Sequence, residues 1–190
     1  MKKNLLLSAA LALTLVSGCV VMSVYPYYTA KDIISDPTLI GVWTDPANTN
    51  SNKATWTFEK LDGHTSKFTT VDGSETNQFD AHLFKLGGAT FLDCLIRTRS
   101  GYSSPSHILF RVDSVQPLLK MRLPDYDWLT TLIEKHPKVI RHVIVPSAGK
   151  QSSKEGDLVL TADTAELQKF ILKHLKTEKA WGEEAVMKKQ

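Results

Sequence analysis

From residue 53 onward, apolar side chains recur at every second position in short runs, and turn-forming pairs separate the runs. Trp56 and Phe58 share one face of the first run, Phe79, Ala81 and Leu83 one face of the third, and Leu92, Cys94 and Ile96 one face of the fourth. Alternation of this kind belongs to strands, whose successive side chains point to opposite faces. Asp62-Gly63, Asp72-Gly73 and Gly87-Gly88 supply the positive φ angles that tight hairpins need. Residues 53–61, 64–71, 74–86 and 89–98 are therefore expected to form four consecutive antiparallel strands. Ile108, Phe110 and Val112, then Leu119, Met121 and Leu123, extend the alternation to two more.

At Asp125 the period changes. Trp128, Leu129, Leu132, Ile133 and His136 share a helical stripe that Pro137 closes. Two further strands are expected at 139–145 and 157–161, joined by a polar loop. Asp163, with Glu166 three residues on, is a capping-box start for a second helix that buries Leu167, Phe170, Ile171 and Leu175. Residues 181–190 read as a frayed tail.

With a short strand near 40–44, the pattern predicts a mainly β domain over residues 37–180, an antiparallel meander of eight or nine strands with two helices. Closure into a small β-barrel removes the edges of so long a meander; the alternative is an open twisted antiparallel sheet covered by both helices. Phe84 and Leu86, like Phe91 and Leu95, make their strands apolar on both faces, which predicts that the helices cover part of the outer wall.

Residues 1–18 begin with Met1-Lys2-Lys3, continue through an apolar run over residues 5–16, and end in Ser17-Gly18, the layout of a secretory signal. Leu15-Val16-Ser17-Gly18-Cys19 resembles the lipobox of bacterial lipoproteins. The resemblance implies cleavage between Gly18 and Cys19, acylation of the Cys19 thiol and of its new amino group, and a permanent membrane anchor. Val20 stands where an Asp would favour inner-membrane retention, so the implied address is the periplasmic side of the outer membrane. Residues 19–36 read as a lipidated tether, in which Tyr25, Tyr27 and Tyr28 either sit at headgroup level or pack under the domain.

The chain has 190 residues, 42% hydrophobic and 23% charged, which fits one compact domain and excludes a disordered chain. Loss of the signal takes away Lys2 and Lys3, two of 23 basic side chains against 20 acidic ones. The remaining near-neutral chain lacks the basic footprint of a nucleic-acid binder.

Gly41-Val42-Trp43 resembles the GxW start of lipocalins, in which the tryptophan closes the barrel base. No TDY motif follows, no partner arginine for Trp43 stands out, and a helix interrupts the strands, so the likeness is one of architecture. Phe79-Asp80-Ala81-His82-Leu83, Leu86-Gly87-Gly88, Phe91-Leu92-Asp93, His107 with Phe110-Arg111-Val112, Asp127-Trp128-Leu129 and residues 160–167 resemble a pattern in bacterial lipoproteins without an assigned activity.

Candidate chemistry is sparse. Cys94 alternates in phase with Leu92 and Ile96, which predicts a buried, inert thiol, and acylation of Cys19 leaves it no disulfide partner. Gly101-Tyr102-Ser103-Ser104-Pro105 starts like a nucleophile elbow but ends in proline and lies between strands. Asp80 and His82 share a strand face, yet nothing completes a metal site around them. Gly149-Lys150 is followed by Gln151 where a phosphate loop needs Ser or Thr. No catalytic residue, metal or cofactor is assigned, and an enzyme is not expected. Two readings remain. In one, a barrel interior lined by Trp56, Phe58, Phe68, Phe79, Leu92, Ile108, Phe110 and Met121 holds an apolar ligand such as a fatty acid or lipid, with Trp56, Phe58, Phe79, Phe110 and Met121 as the residues that bind it. In the other, the domain is a structural or assembly lipoprotein that meets an envelope protein through its surface.

Overall fold

A computed structural model describes residues 20–47, 54–97, 105–146 and 156–190. The strands in chain order are β1 (Met22–Ser23), β2 (Gly41–Thr44), β3 (Thr55–Asp62), β4 (Thr65–Asp72), β5 (Glu75–Leu86), β6 (Ala89–Ile96), β7 (His107–Ser114), β8 (Leu118–Arg122), β9 (His142–Pro146), β10 (Gly156–Leu160) and β11 (Ala185–Lys189). Helix α1 (Tyr126–Lys135) precedes β9, α2 (Thr164–His174) follows β10, and 3-10 turns occupy Pro37–Leu39 and Glu178–Ala180.

Strands β2 to β8 pair antiparallel in sequence order, and β11 pairs antiparallel with both β8 and β2. The result is a closed eight-stranded antiparallel barrel, not an open sheet. Closure gives every barrel strand two neighbours and so satisfies backbone groups that an open sheet leaves bare at its edges. The hairpin after β5 illustrates how local sequence serves the whole. Gly87 has φ +59, and a Cβ there would lie 2.4 Å from Leu172 Cδ2 of α2. Glycine suits this backbone conformation, and an added Cβ would displace the half-exposed Leu172 side chain of the helix that rests on the turn.

The predicted alternation holds on both walls. Trp56, Phe58, Phe79, Leu92, Phe110 and Met121 point into the barrel core, while Phe84, Phe91 and Leu109 point outward against Leu129, Ile133, Leu167, Ile171 and Trp181. Both helices start as their caps dictate: Trp128 N–H donates to Asp125 at 2.7 Å, and Glu166 N–H to Asp163 at 3.0 Å. Among the described residues no helix is long and apolar enough to cross a membrane.

Three expectations are corrected. Residues 181–190 are not a frayed tail, since β11 within them closes the barrel, with Ala185 and Met187 buried and Lys188 exposed. Two inward positions followed by lysines give too short an alternation to stand out. Residues 20–36 are not a free tether: β1 pairs with β7, Tyr27 is buried, and Ile33 bridges Phe84 of β5. Strand β8 pairs only with the Arg111–Ser114 part of β7, which leaves His107 and Ile108 free to pair with β1. Finally, β9 and β10 are not barrel strands. They extend the sheet beyond β7 in the order β7-β1-β10-β9, with β1 parallel to β10.

Candidate functional site

The five residues predicted to line an apolar site all face the barrel interior and are buried there, each at 4% exposure or less. Four of them pack together around Phe68. Phe58 stacks on Phe68 with ring centroids 4.3 Å apart, and Phe68 in turn meets Trp56 at 5.7 Å, Phe79 at 5.5 Å and Phe110 at 6.3 Å. This is the spacing of packed aromatic pairs. Phe68, also expected in the barrel interior, is the centre of the cluster.

Among the described residues, two cavities reach the ends of the barrel. One, of about 150 Å³, is lined by Phe110 and Met121 together with Leu123, Pro124, Asp125, Tyr126, Gly182, Glu183 and Ala185. The other, of about 410 Å³, lies at the opposite mouth between the 3-10 turn at Pro37–Leu39 and the ends of β5, β6 and β7. None of the five candidates lines it; its walls carry Asp36, Lys85, Asp113 and Gln116 over a floor of Ile34, Leu83, Val112 and Val115. Asp113 is committed to Arg111 and Arg122, whose Nε atoms donate to it at 2.9 Å each.

Residues 24–32 cross the outer face of β7, β6 and β5 as a strap, and a buried polar group pins them down. Asp93 of β6 is fully buried; its Oδ2 accepts from Tyr27 N–H at 2.9 Å and its Oδ1 lies 2.7 Å from His107 Nδ1, the imidazole N–H donating. Such a carboxylate stays buried at tolerable cost because its oxygens are satisfied. Ser23 stands opposite His107 in the β1–β7 register, which assembles the residue types of a nucleophilic triad. Ser23 is fully buried, however, and its Oγ accepts from Tyr25 N–H at 3.3 Å. The trio therefore works as a clasp for the strap. From the other side α2 grips the strap, with Thr164 donating to Pro26 O at 2.8 Å and Gln168 donating to Tyr27 O and to Asp32.

The remaining sequence candidates resolve individually. Cys94 is a buried free thiol, and burial, followed by the neighbouring Asp93, pushes it well up from the ordinary cysteine range. Asp80 accepts from Arg97 Nε at 2.6 Å, while His82 lies 3.1 Å from Thr65 Oγ1 and stacks on Tyr28 at 4.8 Å. Among the described residues no group of three His, Cys, Asp or Glu could hold a metal ion. Gly18, Cys19, Ser103, Ser104 and the Gly149-Lys150 pair lie outside the described residues.

Trp43 has a cationic partner that the sequence reading missed. Its Nε1–H donates to Leu39 O at 2.8 Å, and Lys189 Nζ sits 5.4 Å from its ring while donating to Thr38 O at 2.8 Å. No local signal could have identified Lys189, because it lies in the segment that reads as a tail. Compared with known proteins, the chain matches no protein-family model, no curated protein and no solved structure.

Proposed function

We propose that the chain is a lipid-anchored protein of the bacterial cell envelope, held at the periplasmic face of the outer membrane through acylated Cys19. Its barrel is a packed scaffold that acts through surface contacts with an envelope partner. The observation that carries the scaffold reading is the aromatic cluster around Phe68, which fills the interior where a carrier needs room. Pockets for drug-sized ligands run to about 300–1,000 Å³ and are mostly apolar. The cavity that touches Phe110 and Met121 is about half the lower bound, at about 150 Å³. The larger one is walled by charged and polar side chains. The anchor reading rests on the basic start, the apolar run and the register of Gly18 and Cys19.

One observation favours a second reading, the capture of one end of an apolar ligand such as a fatty acid: the Phe110–Met121 cavity opens at a barrel end. Native mass spectrometry of the protein after exposure to mixed membrane lipids separates the two. A packed scaffold gives no stoichiometric adduct beyond the acyl chains on Cys19, whereas an adduct weakened by Phe110→Ala overturns it. Metabolic labelling with a tagged fatty acid tests the anchor, and label retained by Cys19→Ala would refute Cys19 as its site.

A further inference from the structure

The three-stranded extension β1-β10-β9 buries Leu158 and Leu160 of one face and leaves the β9 side of the other exposed. The registers Met22↔Val159 and Val159↔Val143 set these three residues in one row on one face. Continuing the same pairing by two residues sets Val20, Asp157 and Val145 in the next row on that face. The opposite face carries Leu158 and Leu160, both buried in the core under the helices. On the first face Val20 and Met22 are half-buried against the barrel core, but Val143 and Val145 are 47% and 46% exposed. Ile144, between them, is also exposed, and β9 is the terminal strand of the sheet order. Val143 and Val145 are thus two exposed aliphatic residues in adjacent rows of one face, and Ile144 adds a third on the other side of the same terminal strand, an apolar edge that a soluble surface ordinarily avoids.

We propose that this face of the β1-β10-β9 extension rests on the lipid bilayer that holds the acyl chains of Cys19; the inference rests on the anchor reading above. The argument is one of reach. Cys19 is bonded to Val20, and because Val20 and Met22 already belong to the fold, Cys19 can lie at most roughly 11 Å from Met22. Neighbouring strands are about 4.8 Å apart, so β9 runs about 10 Å to the side of β1. With no tether between fold and lipid, the surface around Val20 is held against the interface, whose polar layer is only about 5–8 Å deep on each side of the hydrocarbon. The exposed valines of β9 are the apolar groups beside that attachment point. The backbone edge of β9, which pairs with no further strand among the described residues, is tolerated there because headgroups and interfacial water hydrogen-bond to it, as hydrocarbon would not. Asp157 is the one carboxylate in the two rows and stays at headgroup level.

The test uses the full-length acylated protein in phosphatidylethanolamine–phosphatidylglycerol vesicles, with Val145→Cys or Leu61→Cys carrying an environment-sensitive fluorophore. Leu61 is 46% exposed on the β3–β4 hairpin and serves as the water reference. The probe at 145 should shift to the blue and lose about half of its emission to a spin-labelled lipid, as expected for groups about 5–10 Å into the interface, while the probe at 61 stays unquenched. Equal, water-like emission from both positions overturns the proposal. So does a blue shift at 145 without lipid quenching, which would signal a second copy or another protein seated on β9. Intact mass on the same sample reads acylation. Acylated protein with an unquenched probe refutes this face alone, and unacylated protein refutes the anchor and this face with it.

Discussion

Replacing Phe68 by alanine asks directly whether the barrel is solid. The side chain is fully buried in β4 and meets four aromatic rings, those of Trp56, Phe58, Phe79 and Phe110. Buried Phe→Ala changes cost about 3–5 kcal/mol, the larger values arising where the walls cannot collapse. A closed ring of hydrogen-bonded strands resists collapse, and each aromatic pair adds about 0.5–1.5 kcal/mol beyond area burial, which puts Phe68→Ala near the top of that range. A domain with about 5–15 kcal/mol of stability would remain folded but marginal. Urea unfolding followed by tryptophan fluorescence should show a lower midpoint at unchanged slope, while Leu61→Ala, at an exposed position, moves by less than about 0.5 kcal/mol. The vacated space should also take up benzene, as engineered apolar cavities do. At ten times its dissociation constant, benzene would restore about 1.4 kcal/mol to the variant and nothing to the parent. A loss below about 2 kcal/mol, with parent and variant responding alike to benzene, would refute the packed interior and return the barrel to the carrier reading.

Three other outcomes follow from the same geometry. Gly63→Ala at φ +33 and Gly87→Ala at φ +59 should each cost about 1–2 kcal/mol for the backbone conformation, and urea melts that show no loss at either position would contradict the positive-φ turns. Cys94 should not react with a thiol reagent at pH 8 until denaturant is added, because burial and Asp93 raise its pKa, and rapid labelling of the native protein would place it at the surface instead. Burial holds His82 and His174 below the ordinary 6.5, so the unfolded chain takes up their protons first. Their contribution is complete above about pH 6.5 and is lost as pH falls toward the folded values. Melting temperature should therefore decline from pH 7.5 to pH 5.5, less steeply in a His82→Gln, His174→Gln double variant, and an unchanged slope would remove both groups from the account.

The barrel was legible because its hairpins are local. Asp62-Gly63, Asp72-Gly73 and Gly87-Gly88 mark turns within a few residues of the strands they join, and strict alternation assigned Phe79, Cys94 and Phe110 to the interior correctly. What the sequence hides is long-range. Nothing near residue 187 says that its neighbours are Leu119 and, two residues on, Trp43. Nothing near residue 22 announces that β8 stops short and leaves room beside β7. The same holds for the interior. Alternation says which way Trp56, Phe58 and Met121 point, but whether they line a hollow or fill it depends on the summed size of side chains from eight strands.

Because β11 is the last strand of the ring in chain order, the ring cannot close before β11 is in place. Trp43 must wait for Lys189, some 146 residues later, while α1, β9, β10 and α2 are made in between. Until then the meander is a curled sheet with two raw margins, β2 and β8, and an aromatic-lined trough between them. Contacts of such separation fold slowly, on millisecond-to-second scales, and leave sticky intermediates exposed in the meantime. A chain cut short before residue 185 would therefore keep most of the ring's strands and have no means of sealing it.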